Sequence, residues 1–245
     1  MNVTVNVDYD RCVANDNLGY LIEIYGYIRD TEIASLLRQI EDVIEMYGLS
    51  DTNQTGYNAL RSSYNESKNP LKLLVLCFYS FNHQLRFNNS HEFNCSFGRN
   101  RSRFNDSIKN NLISFSKALK SRDILFLSDD FRETGLVFGS GDFIYADPPY
   151  IASTAVYNDG NRGFTMWGAQ EEADLRALLD EANEAGALFA LSNVLDNNKR
   201  DNQGLASWAV KHGYKVHHLD HSYANSSYHR SNRDGGDEVL ITNYN

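Results

Sequence analysis

Asp147-Pro148-Pro149-Tyr150 follows directly on the apolar run Phe143-Ile144-Tyr145-Ala146. A hydrophobic strand that delivers a carboxylate, two prolines and an aromatic ring into a loop builds a stiff pocket. Each proline fixes its own φ and restricts the residue before it, so acceptors on such a bend are preset. The chemistry this suits is methylation of an exocyclic amine on a nucleobase. The N6 amine of adenine is a poor nucleophile because its lone pair is delocalised into the ring. Two acceptors on its N–H groups, the Asp147 carboxylate and the Pro148 carbonyl, draw it toward tetrahedral geometry. Tyr150 offers a face on which a flipped base stacks. A methyl donor in line with the nitrogen completes the arrangement. The alkylated nitrogen is cationic and sheds a proton without a strong base. The bland alternative is a rigid strand-to-helix turn, and the strand immediately before the motif favours the chemical reading.

The elements around the motif read as α/β. Arg11 to Asp16 is a short strand ending in an acid, and helical patterning follows over 18–27. Ile33, Leu36, Leu37, Ile40, Val43, Ile44 and Tyr47 recur at three- and four-residue steps, which predicts a helix capped by Asp30 or Thr31 and closed by Gly48. Pro70 opens an apolar helix over 71–81. Residues 82–105, rich in Asn, Ser, Arg and Phe, have no steady period and read as an irregular or hairpin segment at a working surface. A helix follows to about Lys120. Strands are then expected at 124–127, 143–146, 188–191, 214–219 and 238–242, with helices at 170–185 and 204–211. This alternation argues for an α/β sheet covered on both faces.

The chain has 245 residues, 22% of them charged and 42% hydrophobic, which suits a soluble globular protein with one full core or one domain carrying an insertion. No apolar stretch reaches the length of a membrane span, and the first residues do not read as a signal peptide. Cys12, Cys77 and Cys95 have neither metal-site spacing nor an even count, so buried thiols in a reducing cytoplasm are expected. The net charge of −9 weighs against nonspecific nucleic-acid binding but not against a local basic surface. Such a run exists from Arg86 through Arg99, Arg101, Arg103, Lys109, Lys117 and Lys120 to Arg122; a solvated helix face is its ordinary alternative. Gly139-Ser140-Gly141 precedes a strand and opens no helix, so it is no phosphate loop. His217, His218, His221 and His229 lack partner ligands at metal spacing, and no metal is assigned.

Together these segments resemble the Dam-type DNA adenine-N6 methyltransferases, particularly phage members. Besides Asp147 to Tyr150, the resemblance rests on Val13-Ala14-Asn15-Asp16, on Pro70 through Gly98, on Ala190-Leu191-Ser192-Asn193-Val194 and on Asp237-Glu238-Val239-Leu240-Ile241. Phe93-Asn94-Cys95-Ser96-Phe97-Gly98 is similar to a Phe-x-x-Pro-Phe-Gly pattern with Ser96 in the proline position. The resemblance implies a Rossmann-like methyltransferase sheet with a mainly helical target-recognition insertion. The catalytic domain would span 1–48 and 121–245, and the insertion 49–120.

It also implies roles. Asp147, Pro148, Pro149 and Tyr150 would hold the target adenine, with Asp147 also beside the cofactor, S-adenosyl-L-methionine. Asp16 would hold the cofactor ribose, where its alternative is a helix cap. Asp130 and Phe131 would contact the cofactor adenine. Tyr157 would touch the cofactor or else simply pack. Arg86 would read guanine in a GATC-type site of double-stranded DNA, because its fork meets O6 and N7 together, or else is a surface arginine. Phe81, Asn82, Gln84, Asn88, Ser96 and Arg99 would lie on the DNA. Gln84 and Ser96 depart from the family pattern, which bears on the sequence recognised. A glycine-rich turn after the first strand is expected in such a cofactor site, yet residues 1–15 contain no glycine. By comparison with the family the first strand, that turn and a lysine-bearing segment are cut away, giving an N-terminally truncated sheet. A late start, a dimer or complementing chain, or a noncatalytic DNA-binding remnant would each account for this. Methylation of RNA or protein by the same pocket is the remaining alternative, which the recognition segment disfavours.

Overall fold

The computed structural model describes residues 1–150, 167–196, 202–219 and 237–245. The chain divides into two compact units, the first built on Met1–Thr134 and the second on the described residues from Gly135 onward.

The first unit is mostly helical. After a short helix α1 (Asn2–Asn6), strand β1 (Cys12–Asn15) leads into α2 (Gly19–Asp30), α3 (Ile33–Tyr47), α4 (Gln54–Ser67), α5 (Pro70–Tyr79) and α6 (Asp106–Lys120), and ends in β2 (Ile124–Leu127). Strands β1 and β2 pair in parallel, Cys12 opposite Ile124 and Asn15 opposite Leu127. Helix α3 buries Leu36, Ile40 and Val43, the stripe its periodicity requires. Its cap differs from expectation. Helix α2 runs on through Asp30, so the Glu32 carboxylate accepts the Ser35 N–H at 2.8 Å. Gly48 closes α3 at φ 56°, a left-handed conformation that favours glycine. Asn69 caps α5 by accepting from the Leu71 and Lys72 N–H groups, and Pro70 occupies the first turn, where no N–H is needed. Residues from α2 through α6 share one buried core, so the segment 49–120 packs directly with α2 and α3.

The second unit contains β3 (Phe143–Ala146), α7 (Ala169–Glu184), β4 (Leu188–Asp196), α8 (Gln203–His212), β5 (Lys215–His218) and β6 (Asp237–Thr242). Its sheet runs β3-β4-β6-β5. The β3–β4 pair is parallel, and β6 is antiparallel to both β4 and β5. Phe189 of β4 packs on Trp208 of α8 and on Tyr214 just after it. Among the described residues the strands thus form two sheets, where the alternating pattern read as one. Strand β4 also continues past Leu191 to Asp196. Its polar Asn193 is buried yet paired, because its amide donates to Glu172 of α7.

Candidate active site and recognition surface

Strand β3 stops where the prolines begin. Its last residue, Ala146, pairs with Leu191, so Asp147 leaves the carboxyl end of β3 beside Ser192, while the parallel neighbour β4 runs on to Asp196. That is the edge at which open α/β sheets present ligand-binding loops. The Tyr150 hydroxyl donates to Asp147 Oδ1 at 2.9 Å and lies 3.1 Å from Ser192 Oγ. Asp147 and Pro149 are exposed, and Pro148 and Tyr150 are half-buried. The bend is therefore open to solvent on its acidic side. Burial pushes the Tyr150 hydroxyl well above its ordinary pKa, and the neighbouring Asp147 and Glu238 charges push the same way against the Ser192 hydrogen bond. The phenol stays protonated at neutral pH and remains a donor.

A second cluster forms at the carboxyl ends of β1 and β2. Asp16 N–H donates to Leu127 O at 3.3 Å, and the Asn15 side chain exchanges two 3.0 Å hydrogen bonds with the Asp129 backbone. These contacts set Asp16 beside the loop that carries Asp130 and Phe131. Asp16 Oδ1 accepts the Leu18 N–H at 2.8 Å and so starts α2. Burial raises the Asp16 pKa against that hydrogen bond and the chain's amino terminus. Arg132 grips Asp130 through Nε at 2.8 Å and a terminal nitrogen at 2.6 Å, and holds its carboxyl below the ordinary range. The same guanidinium sits 5.5 Å from the Phe131 ring centroid. Tyr157 lies outside the described residues.

The residues expected on the DNA sit on a hairpin-like segment with an aromatic floor. Isolated antiparallel bridges join Ser80 to Phe97 and Phe87 to Phe93. Phe87 and Phe93 are buried and touch each other, and both meet Tyr64 of α4. Tyr20 stacks on Phe87 at 4.5 Å. Alternation then turns Arg86, Asn94 and Ser96 outward, and all three are exposed. Gly98 is required where it stands, because a Cβ there would lie 2.8 Å from Ser80 O and closer still to Ser102. Asn82 and His83 adopt φ 54° and 55°, left-handed values that are strained for residues other than glycine. Phe81 is 43% exposed beside them. Gln84 is half-buried. Arg99 is exposed and donates to Gln54 at 2.9 Å. The Asn88 side chain closes the hairpin turn by accepting from the Ser90 and Glu92 N–H groups and donating to Glu92.

Two residues join these sites without having been singled out from the sequence. Ser192 is separated from Tyr150 by 42 positions, a contact no local pattern signals. Arg101 covers the Phe81 ring at 5.1 Å and donates to Asn82 at 3.3 Å. The basic run contained Arg101 but did not distinguish it. At the sheet's other end, His217 meets Thr242 and His218 meets Asp237. Among the described residues no group of three His, Cys, Asp or Glu is placed to hold a metal, and no helix is long and apolar enough to cross a membrane.

Fold and site together define a mixed α/β protein that presents an exposed carboxylate on a proline bend at the end of a parallel strand. The chain belongs to the D12 class N6 adenine-specific DNA methyltransferase family, which it matches over residues 2–225. It is 43% identical to the type II methyltransferase M.FokI of Planomicrobium okeanokoites and 44% identical to the modification methylase StsI of Streptococcus sanguinis. Each match covers 99% of this chain and 37% of the relative, so the chain spans little more than a third of their length. A DNA adenine methylase of Serratia marcescens is 27% identical over 64% of this chain and 57% of its own.

Proposed function

We propose that this chain carries the catalytic and recognition apparatus of a site-specific DNA adenine-N6 methyltransferase acting on double-stranded DNA within bacterial restriction-modification. The observation that carries the reading is the exposed Asp147 carboxylate, set by two prolines at the end of β3 and bound to the Tyr150 hydroxyl. The flipped adenine stacks on Tyr150, and its amino group donates to Asp147 and to the Pro148 carbonyl. Both acceptors pull the nitrogen toward tetrahedral geometry before the methyl moves. The alkylated nitrogen then loses its extra proton to the exposed carboxylate side of the site, which is in contact with water.

The cluster at the ends of β1 and β2 fits an adenosine. A half-buried carboxylate suits ribose hydroxyls, and the Phe131 ring suits a purine face. Asp16, Asp130 and Phe131 would hold S-adenosyl-L-methionine, which when bound supplies an electrophilic methyl group. Residues 49–120 act as the recognition insertion. Arg86, exposed on the hairpin, reads guanine in a GATC-like site, flanked by Phe81, Asn82, Gln84, Ser96 and Arg99. Free cysteines fit a cytoplasmic setting.

Transfer of radiolabelled methyl from S-adenosyl-L-methionine to GATC-containing duplexes tests the reading. Incorporation that depends on Asp147 supports it. DNA retention with no incorporation would mark a binding remnant instead. Arg86→Ala should weaken binding by about 1–3 kcal/mol and relax choice at the guanine alone. Equal loss on every sequence would make Arg86 a phosphate contact.

A further inference from the structure

A one-way chain of hydroxyls ends on the Asp147 carboxylate. An ionised carboxylate only accepts, so the single Tyr150 hydroxyl proton goes to Asp147 Oδ1, 2.9 Å away. The Tyr150 oxygen must then accept from Ser192, whose Oγ lies 3.1 Å away. The strand register explains the meeting: Ala146 pairs with Leu191, so Ser192 stands beside the start of the bend at Asp147. Ser192 in turn is paired with Leu240 of β6, which fixes its backbone independently of its hydroxyl.

We propose that Ser192 is a positioning residue for adenine methylation, holding the Tyr150 ring and the Asp147 carboxylate as one unit. This rests on the reading of the bend as the adenine site. Two consequences follow from the geometry. Asp147 Oδ1 accepts the Tyr150 proton, so the carboxylate is held in one orientation with lone pairs left on both oxygens for the amino group. The Tyr150 ring is anchored at its hydroxyl end, so its face waits for the base without a rotamer search.

Four variants of the full chain test this: Ser192→Ala, Ser192→Thr, Tyr150→Phe and the Ser192→Ala/Tyr150→Phe pair. Ser192→Ala should lower kcat for methyl transfer by about 10- to 100-fold, the range for a lost hydrogen bond serving a charged group, while KM for DNA stays put. Threonine restores the hydroxyl on a strand that accepts β-branched residues, so Ser192→Thr should recover most of the rate. The paired variant should be no slower than Tyr150→Phe alone. Wild-type turnover in Ser192→Ala, no rescue by threonine, or losses that multiply would each overturn the proposal.

A second readout needs no turnover. In protein labelled with 3-fluorotyrosine, the Tyr150 fluorine resonance, assigned through Tyr150→Phe, should move in Ser192→Ala and return in Ser192→Thr. A resonance that ignores Ser192 refutes the chain of hydroxyls whatever the activity. If the resonance moves but wild-type protein transfers no methyl to any duplex, the hydroxyl chain stands and the methyltransferase reading fails.

Discussion

Asp16 and Asp147 each end a parallel strand, yet the molecule uses them differently. Asp16 is half-buried, and its Oδ1 is committed to the Leu18 backbone N–H. Asp147 is exposed, and its Oδ1 is held by a side-chain hydroxyl. A carboxylate tied to the start of a helix is fixed as firmly as the fold itself. One tied to a tyrosine hydroxyl, itself bound to a serine, is held by side chains alone. The first arrangement suits a residue that grips the same ligand in every cycle. The second suits an acceptor whose partner must arrive, react and leave.

Removing each acid should expose this difference. Asp147→Ala should cut methyl transfer by about 10²–10³-fold, the usual cost of one preorganised group at a reacting centre, with little change in thermal midpoint because the group is exposed. A large loss of stability would make Asp147 a structural acid like Asp16 and erase the contrast.

Glu172 sharpens the comparison from the opposite face of β4. It is buried and accepts from Asn193 at 3.2 Å and from Asn202 at 2.7 Å. Glu172→Ala strands both amides and should cost about 1–3 kcal/mol in denaturant unfolding.

Asp16→Ala should cost about 1 kcal/mol through the lost Leu18 hydrogen bond, whereas Asp16→Asn keeps an acceptor there and should retain that stability. Cofactor affinity should fall in both. The pH dependence has a defined sign. Burial raises the Asp16 pKa in the folded state, so folding favours its protonated form. Relative to Asp16→Asn, the wild type should gain stability as pH falls from neutral toward the ordinary carboxylate range, and lose it as pH rises through the raised value.

Asp130 should behave in reverse. Arg132 lowers its pKa, so its contribution is present above the ordinary carboxylate value and disappears as pH falls through the lowered one. The pair is partly exposed, so Asp130→Asn should cost only about 0.5 kcal/mol at neutral pH. Parallel pH profiles for the two acids would contradict these assignments.

Local chemistry made much of this legible in sequence. The α3 stripe, Gly48 as its left-handed end, Pro70 opening α5 and the strand before Asp147 each depend on residues within a turn or two of one another. What escaped depends on distant partners. The start of α3 was misplaced onto Asp30 or Thr31 because α2 continues through Asp30, and Glu32 serves instead. The length of β4 was hidden by Ser192 and Asn193, polar residues that end an apolar run on paper but are paired in space. Helix α4 has its apolar stripe in only Tyr57, Leu60 and Tyr64, at three- and four-residue steps, diluted among serines, asparagines and a glycine. Residues 82–105 look irregular in sequence because their order comes from beneath. Asn65 brackets the Phe93 backbone, and the Tyr57 hydroxyl holds Cys95 O at 2.9 Å.

The central claim is that the bend after β3 makes an exocyclic adenine nitrogen alkylate. Duplex DNA incubated with the protein and S-adenosyl-L-methionine, then digested to nucleosides and resolved by mass spectrometry, reads this directly. We expect N6-methyl-2′-deoxyadenosine with wild-type protein and almost none with Asp147→Ala. Methylated cytosine in its place, or equal yields from both proteins, would contradict the account.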